Sequence, residues 1–105
     1  MTLGKITKVN FSYGGYQDAM FGVTFILESN DGCCSDFWGT WAHRSKSAEW
    51  SKESQIKKFG EVTDRLIKLC DDAKVGNINE LKGKPVEIIF KNNTLSSWRI
   101  LKEVL

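Results

Sequence analysis

The chain has 105 residues, 41% of them hydrophobic and 27% charged, and its formal net charge is +2 from 15 basic and 13 acidic side chains. This length and composition predict one soluble globular domain, which buries roughly two thirds of the surface of its unfolded chain. The weak positive charge permits contact with phosphate without requiring it, because dedicated nucleic-acid-binding domains often have a pI above about 9.

The cysteines and the N-terminus indicate a reducing compartment. Cys33 and Cys34 are adjacent and Cys70 stands apart, an odd count without the spacing of a disulfide framework. No apolar run reaches the roughly 20 residues of a membrane span, and the first residues lack the apolar core of a signal peptide. We therefore expect a protein of the cytoplasm, in a bacterial host cell, that does not bind membranes.

The first strand is predicted near the N-terminus. Val9, Phe11 and Tyr13 alternate with polar residues, which is the period of a half-buried strand. Ile6 is out of phase with these three residues, so we expect a β-bulge at residues 7–8 that lets the strand bend.

The next two predicted strands form a hairpin. Residues 19–28 alternate between two apolar faces, and residues 34–41 form the returning strand. Asp31-Gly32 between them is typical of a hairpin turn. Gly14-Gly15 separates the first strand from the second.

One long amphipathic helix follows a polar loop at residues 43–51. It is predicted to begin near Ser51, a good N-cap residue, and to end near Gly76, which suits the C′ position. The charged residues Lys57, Lys58, Arg65 and Lys68 are expected on its solvated face. Apolar positions at three- and four-residue spacing form one stripe for packing on the sheet: Ile56, Phe59, Val62, Thr63, Leu66, Leu69, Cys70 and Ala73.

Two more strands complete the predicted fold. A short capped turn at residues 77–80 precedes a strand over 86–90, a turn at Asn92-Asn93 and a last strand over 95–105. The β-β-β-α-β-β order predicts the α+β class, with a five-stranded, mostly antiparallel sheet. We expect this sheet to be strongly bent or to form a partly open barrel, with one amphipathic helix across it.

Two segments stand out together. One reads GGYQDA at residues 14–19 and continues into Phe21-Gly22; the other reads LKGKPVE at 81–87, with Leu95, SWRIL at 97–101 and EVL at 103–105. They resemble small uncharacterised proteins encoded in bacteriophage and prophage genomes. The resemblance spans most of the chain and implies a phage setting, but it brings no established activity and no functional residue. Separately, the element order is similar to the oligonucleotide/oligosaccharide-binding (OB) fold, an analogy that does not define function.

Catalytic and metal sites find little support. His43 is the only histidine, and no nucleophile lies at a recognised spacing from it. An approach of Cys33 or Cys34 to His43 across a loop leaves a cysteine hydrolase as a control hypothesis. A closed zinc site needs four Cys or His ligands, usually in spaced pairs, and two of the four candidates here are adjacent. We expect a binding protein without enzyme activity, cofactor or metal.

Aromatic residues carry the functional hypothesis. Trp38 and Trp41 must point to opposite faces of the third strand, and only one face is core. Exposed rings beside cations bind single-stranded nucleic acid, because bases stack on the rings while the cations contact phosphate. We expect such a site for single-stranded nucleic acid or a nucleotide-like ligand in these residues: Tyr13, Tyr16, Trp38, Trp41, Arg44, Lys46 and Lys8.

Other interpretations stay open. The rings could instead pack beneath the polar loop and the helix. Asp18, Asp31 and Asp36 near the strand ends oppose an anionic ligand. An exposed aromatic face is also a common interface, which allows a homodimer or a phage effector. Such an effector would bind a host protein, or sequester a host signalling nucleotide, to counter defence.

Overall fold

The computed structural model describes residues 2–14, 19–42 and 52–104. None of the helices in these ranges is long and apolar enough to cross a membrane. The described residues form strands, one long helix and two 3-10 turns with the following bounds: β1 (Thr2–Gly14), β2 (Met20–Ser29), β3 (Gly32–Trp41), α1 (Lys52–Ala73), a first 3-10 turn (Ile78–Leu81), β4 (Pro85–Lys91), β5 (Thr94–Ile100) and a second 3-10 turn (Lys102–Val104).

The strands form one antiparallel sheet in the order β3-β2-β1-β4-β5. The α+β class, the element order and the single helix between β3 and β4 are as predicted. The sheet is open, with β3 and β5 as its two edge strands, so it does not close into a barrel. The hairpin turn between β4 and β5 consists of Asn92 and Asn93, both with positive φ, which is the conformation of a type I′ turn.

The predicted bulge in β1 is confirmed. Ile6 lies opposite Leu27 and Lys8 lies opposite Ile26, so Thr7 is the additional residue. The extra residue changes the phase of the strand, which lets Ile6 and Val9 both face the core although their separation is odd.

The β2–β3 hairpin contains a pair of facing glycines. Gly22 and Gly39 lie directly opposite each other. A Cβ atom on Gly22 would overlap the carbonyl oxygen of Trp38, and one on Gly39 would overlap the carbonyl oxygen of Phe21. The close approach of the two backbones therefore requires glycine at both positions.

The core lies between the concave face of the sheet and α1, which packs against β3 and β5. Leu66, Leu69 and Ala73 are the buried apolar residues of the helix, whereas Ile56 and Thr63 of the predicted stripe are exposed. The buried stripe is therefore narrower than predicted. The largest fully buried side chains come mainly from the strands: Phe25, Ile6, Leu27, Leu81, Ile88, Ile100, Val23 and Val86.

The last strand is shorter than predicted. It ends at Ile100, and the backbone N–H of Leu101 donates to the carbonyl oxygen of Pro85 at 3.0 Å before the second 3-10 turn begins. Arg99 pairs with Glu87 across the sheet and with Glu103 in that turn, both at 3.0 Å. The prediction of a strand to residue 105 was therefore wrong. β5 pairs with β4, and β4 begins at Pro85, which is level with Leu101. Beyond Leu101, β5 has no strand among the described residues to pair with.

Side chains connect the two edge strands where the backbones do not pair. Asp36 Oδ2 accepts hydrogen bonds from Trp38 Nε1 at 2.8 Å and from Trp98 Nε1 at 2.7 Å. The two indoles stack, with centroids 5.6 Å apart and planes at 23°. We call Asp36, Trp38 and Trp98 the indole clasp, because these residues hold β3 beside β5.

Candidate functional site

Part of the predicted site lies outside the described residues. Tyr16, Arg44 and Lys46 fall there, as does the polar loop that includes His43. The predicted site residues that the structure does describe are Lys8, Tyr13, Trp38 and Trp41.

Trp38 is a core residue, which corrects its predicted role as a stacking surface. Only 8% of its surface is exposed. Besides its stack on Trp98, the ring contacts Phe25 edge-on at 4.8 Å and lies 4.0 Å from the guanidinium carbon of Arg65. A ring enclosed in this way has no open face for a base.

Tyr13 and Trp41 lie on opposite faces of the sheet. Tyr13 pairs with Phe21 and packs edge-on against it at 5.1 Å, on the concave face. Trp41 pairs with Met20, one residue along β2, and therefore points to the convex face. Both rings are about half exposed, at 52% for Tyr13 and 46% for Trp41. The two rings therefore do not form one binding surface.

Lys8 shares the convex face with Trp41 but lies far from it. Lys8 is level with Ile26 of β2, and Trp41 is level with Met20. These positions are separated by six residues, or about 20 Å along the strand. The structure thus places Trp41 apart from the other described residues of the predicted set.

Trp41 instead lines a cleft between the end of β3 and the start of α1. The cleft has a volume of about 300 Å³ and is lined by Thr40, Trp41, Ser54 and Lys58. A second cleft of about 190 Å³ adjoins it at Lys58 and extends along β3 to Arg65. We call the combined surface the β3–α1 groove, which consists of Phe37, Gly39, Trp41, Ser54, Lys58, Glu61 and Arg65.

Local sequence explains how the groove is built. Ser54, Lys58, Glu61 and Arg65 recur at spacings of four, three and four residues, so they share one side of the helix. Gln55 fixes the helix to the strand end, because its buried Nε2 donates to the carbonyl oxygens of Trp41 at 2.7 Å and Ala42 at 3.1 Å.

The charges in the groove are two cations and one carboxylate. Lys58 Nζ lies 3.9 Å from Glu61 Oε2, and both side chains are more than half exposed. Such a pair contributes little stability, so Lys58 can exchange it for an anionic ligand. Arg65 forms no ion pair with any carboxylate of the described residues, and its guanidinium is positioned by the contact with Trp38. The groove can therefore offer two cations beside an exposed indole.

Neither Cys34 nor Cys70 has the lowered pKa of an activated thiol. Cys33 is exposed and Cys34 half-buried, and burial raises the pKa of the Cys34 thiol. Burial likewise raises the pKa of Cys70. A nucleophilic cysteine needs a lowered pKa. Within residues 2–14, 19–42 and 52–104, no group of three or more His, Cys, Asp or Glu side chains is placed to hold a metal.

Sequence reasoning missed Lys58 and Arg65 as site residues, because their charge predicted an ordinary solvated helix face. Their seven-residue separation did indicate one side of a helix. The sequence carried no signal that this side borders Trp41 rather than bulk solvent.

Comparison of the chain with protein-family models, with curated proteins and with solved structures finds no match.

Proposed function

We propose that this protein binds single-stranded nucleic acid or a nucleotide-like ligand in the β3–α1 groove, without catalysis. The observation that carries the proposal is the 46%-exposed indole of Trp41 in the same cleft as Lys58. A base can stack on the indole while the ammonium contacts its phosphate.

The dimensions of the groove suit a ligand with repeating units. Phe37 and Trp41 both point to the convex face and are about 13 Å apart along β3. Lys58 and Arg65 are about 10 Å apart along α1. Trp41 shares its cleft with Lys58, and Phe37 shares the adjoining cleft with Arg65. The two clefts meet at Lys58, so a ligand stacked on Trp41 can extend along α1 to Arg65, which favours a short oligonucleotide over a single nucleotide.

The strand order also supports the proposal. Pairing of β3 with β5 would turn the observed order into a closed five-stranded barrel, an arrangement similar to the OB fold. Such barrels bind oligonucleotides on strands two and three, and the β3–α1 groove includes the convex face of β3. A phage origin and a bacterial cytoplasm as the place of action belong to the same proposal, and the sequence resemblance supports them.

The test is a fluorescence-anisotropy titration of labelled single-stranded DNA and RNA with the full chain at several salt concentrations. We expect Trp41→Ala to weaken binding about 5- to 150-fold, because one base–ring stack is worth about 1–3 kcal/mol. Lys58→Gln and Arg65→Gln should each reduce the slope of log affinity against log salt by about 0.7, the value for one phosphate contact on a single strand.

Lys91→Gln is the matched control, because Lys91 is an exposed cation in the β4–β5 hairpin, away from the groove. It should leave the salt slope unchanged. Absence of binding at low salt refutes the proposal, and so does binding that Trp41→Ala and Lys58→Gln leave unaltered. Capture of a protein partner by Trp41 in place of an oligonucleotide would point instead to the effector hypothesis.

A further inference from the structure

The helix carries a second apolar stripe that faces away from the core. Ile56, Gly60, Thr63 and Ile67 follow one another at spacings of four, three and four residues, so they lie on one side of α1. Ile56 is 58% exposed and Ile67 is 54% exposed. Nothing in the described part of the chain covers this stripe, which we call the helix seam.

Gly60 lies at the middle of the helix seam and is not required by the fold of one chain. Glycine inside a helix lowers helix stability relative to alanine. A Cβ atom on Gly60 would meet no atom within 4 Å, so internal packing would accept alanine. A glycine at an exposed position does allow another backbone to approach closely.

The charges beside the seam are self-complementary. Glu53, Lys57, Asp64 and Lys68 flank it on the side away from the core. The midpoint between Lys57 and Asp64 falls between Gly60 and Glu61, and so does the midpoint between Glu53 and Lys68. An antiparallel copy of α1 with its two-fold axis at this point therefore places Lys57 opposite Asp64 of the second copy. The same axis places Glu53 opposite Lys68 of the second copy.

These four charges are available for such contacts. The ion pairs of α1 in the described structure are Lys58 with Glu61 and Asp72 with Lys102, which include none of the four. Exposed pairs add little affinity, but their arrangement sets the register and orientation of an interface.

The seam continues onto the sheet. Phe11 of β1 is 54% exposed and lines an apolar cleft of about 450 Å³ together with Thr63, Ile67 and Cys70. The helix seam lies on the opposite side of α1 from the β3–α1 groove, because Lys58 of the groove is two residues, or about 200° of rotation, from Ile56 of the seam.

We propose that α1 docks antiparallel on α1 of a second copy of this chain, with the helices crossing at Gly60 and with Ile56 and Ile67 buried between them. Each two-fold-related contact occurs twice, as an isologous interface requires. The dimer leaves both β3–α1 grooves open, so it is independent of the proposed function.

The test is sedimentation equilibrium of the full chain over a dilution series. We expect a monomer–dimer equilibrium whose Kd increases about tenfold or more in Ile67→Lys. Lys57→Glu should also weaken the dimer, and Lys57→Glu combined with Asp64→Lys should restore it. Residues 57 and 64 are too far apart on one helix to pair within a chain, so restoration reports contact between copies.

The control for register is Lys57→Glu combined with Asp71→Lys, which makes the same change in charge but should not restore the dimer. Gly60→Ala should weaken the dimer while it raises the melting temperature of the monomer, which shows that the loss is not due to unfolding. A monomer at all concentrations overturns the proposal, as does a dimer that Ile67→Lys leaves intact. Equal restoration by the two double variants also overturns it.

Discussion

Replacement of Asp36 by leucine is expected to destabilise the fold strongly, because one carboxylate oxygen serves two indoles. Asp36 Oδ2 accepts both clasp hydrogen bonds, at 2.8 Å from Trp38 and 2.7 Å from Trp98. Leucine has a similar size but no acceptor. Both indole N–H groups would then remain in a partly buried site without a protein partner.

The magnitude follows from the two orphaned donors. A buried donor without an acceptor costs about 1–3 kcal/mol, which gives roughly 2–6 kcal/mol for the pair. Trp98 is only half-buried, so water can reach its side of the clasp and the expected loss is about 2–4 kcal/mol. This is a large part of the total stability of a small domain, which is about 5–15 kcal/mol. Asp36→Asn keeps an acceptor oxygen and should cost less than Asp36→Leu.

Urea unfolding followed by circular dichroism measures the loss in the free energy of unfolding. This signal does not depend on the fluorescence of the tryptophans that the substitution disturbs. The slope m should stay constant while the midpoint falls. A double-mutant cycle with Trp98→Phe isolates the interaction, because Trp98→Phe removes one donor and keeps a ring. We expect a coupling energy of about 0.5–3 kcal/mol. A loss below about 1 kcal/mol, or full additivity of the two substitutions, would show that the clasp does not hold the edges.

Three further outcomes are expected. Gly39→Ala should lower the free energy of unfolding by about 1–3 kcal/mol, because its Cβ overlaps the neighbouring strand; Gly76→Ala, where a Cβ meets nothing within 4 Å, should change urea stability little. Iodoacetamide at neutral pH should modify exposed Cys33 before Cys34, because burial raises the pKa of Cys34 and lowers its thiolate fraction. Peptide mass spectrometry identifies the modified residue, and earlier modification of Cys34 would contradict this expectation. Glu61→Gln should tighten oligonucleotide binding in the anisotropy titration, because Glu61 competes with phosphate for Lys58; weaker binding would argue against the groove.

Local patterns were sufficient for the element order and for the bulge. The phase difference between Ile6 and Val9 is a property of one strand, so it could be read without knowledge of the rest of the sheet. The helix start at Lys52 was also local, because it follows a change of period; the predicted cap residue, Ser51, lies outside the described residues. The end of β5 at Ile100 was missed because it depends on where β4 begins, which is a relation between two strands.

The site needed long-range information. Alternation separates Trp38 from Trp41 but cannot say which of them is buried. That choice follows from the pairing of Trp38 with Val23, a fully buried residue of β2. In the same way, Lys58 and Arg65 become candidate site residues only because α1 lies along β3, and no pattern within the helix indicates its neighbour. Closure of the sheet likewise depends on the distance in space between its edge strands, β3 and β5.

The indole clasp also sets how this fold can move. All the ladder hydrogen bonds of the sheet lie within the hairpins and between β1 and β4, and none crosses from β3 to β5. The two edge strands, β3 and β5, can therefore separate and return without breaking any backbone hydrogen bond of the sheet. Local opening of the domain should therefore begin between β3 and β5, and the fluorescence of Trp38 and Trp98 would report each opening.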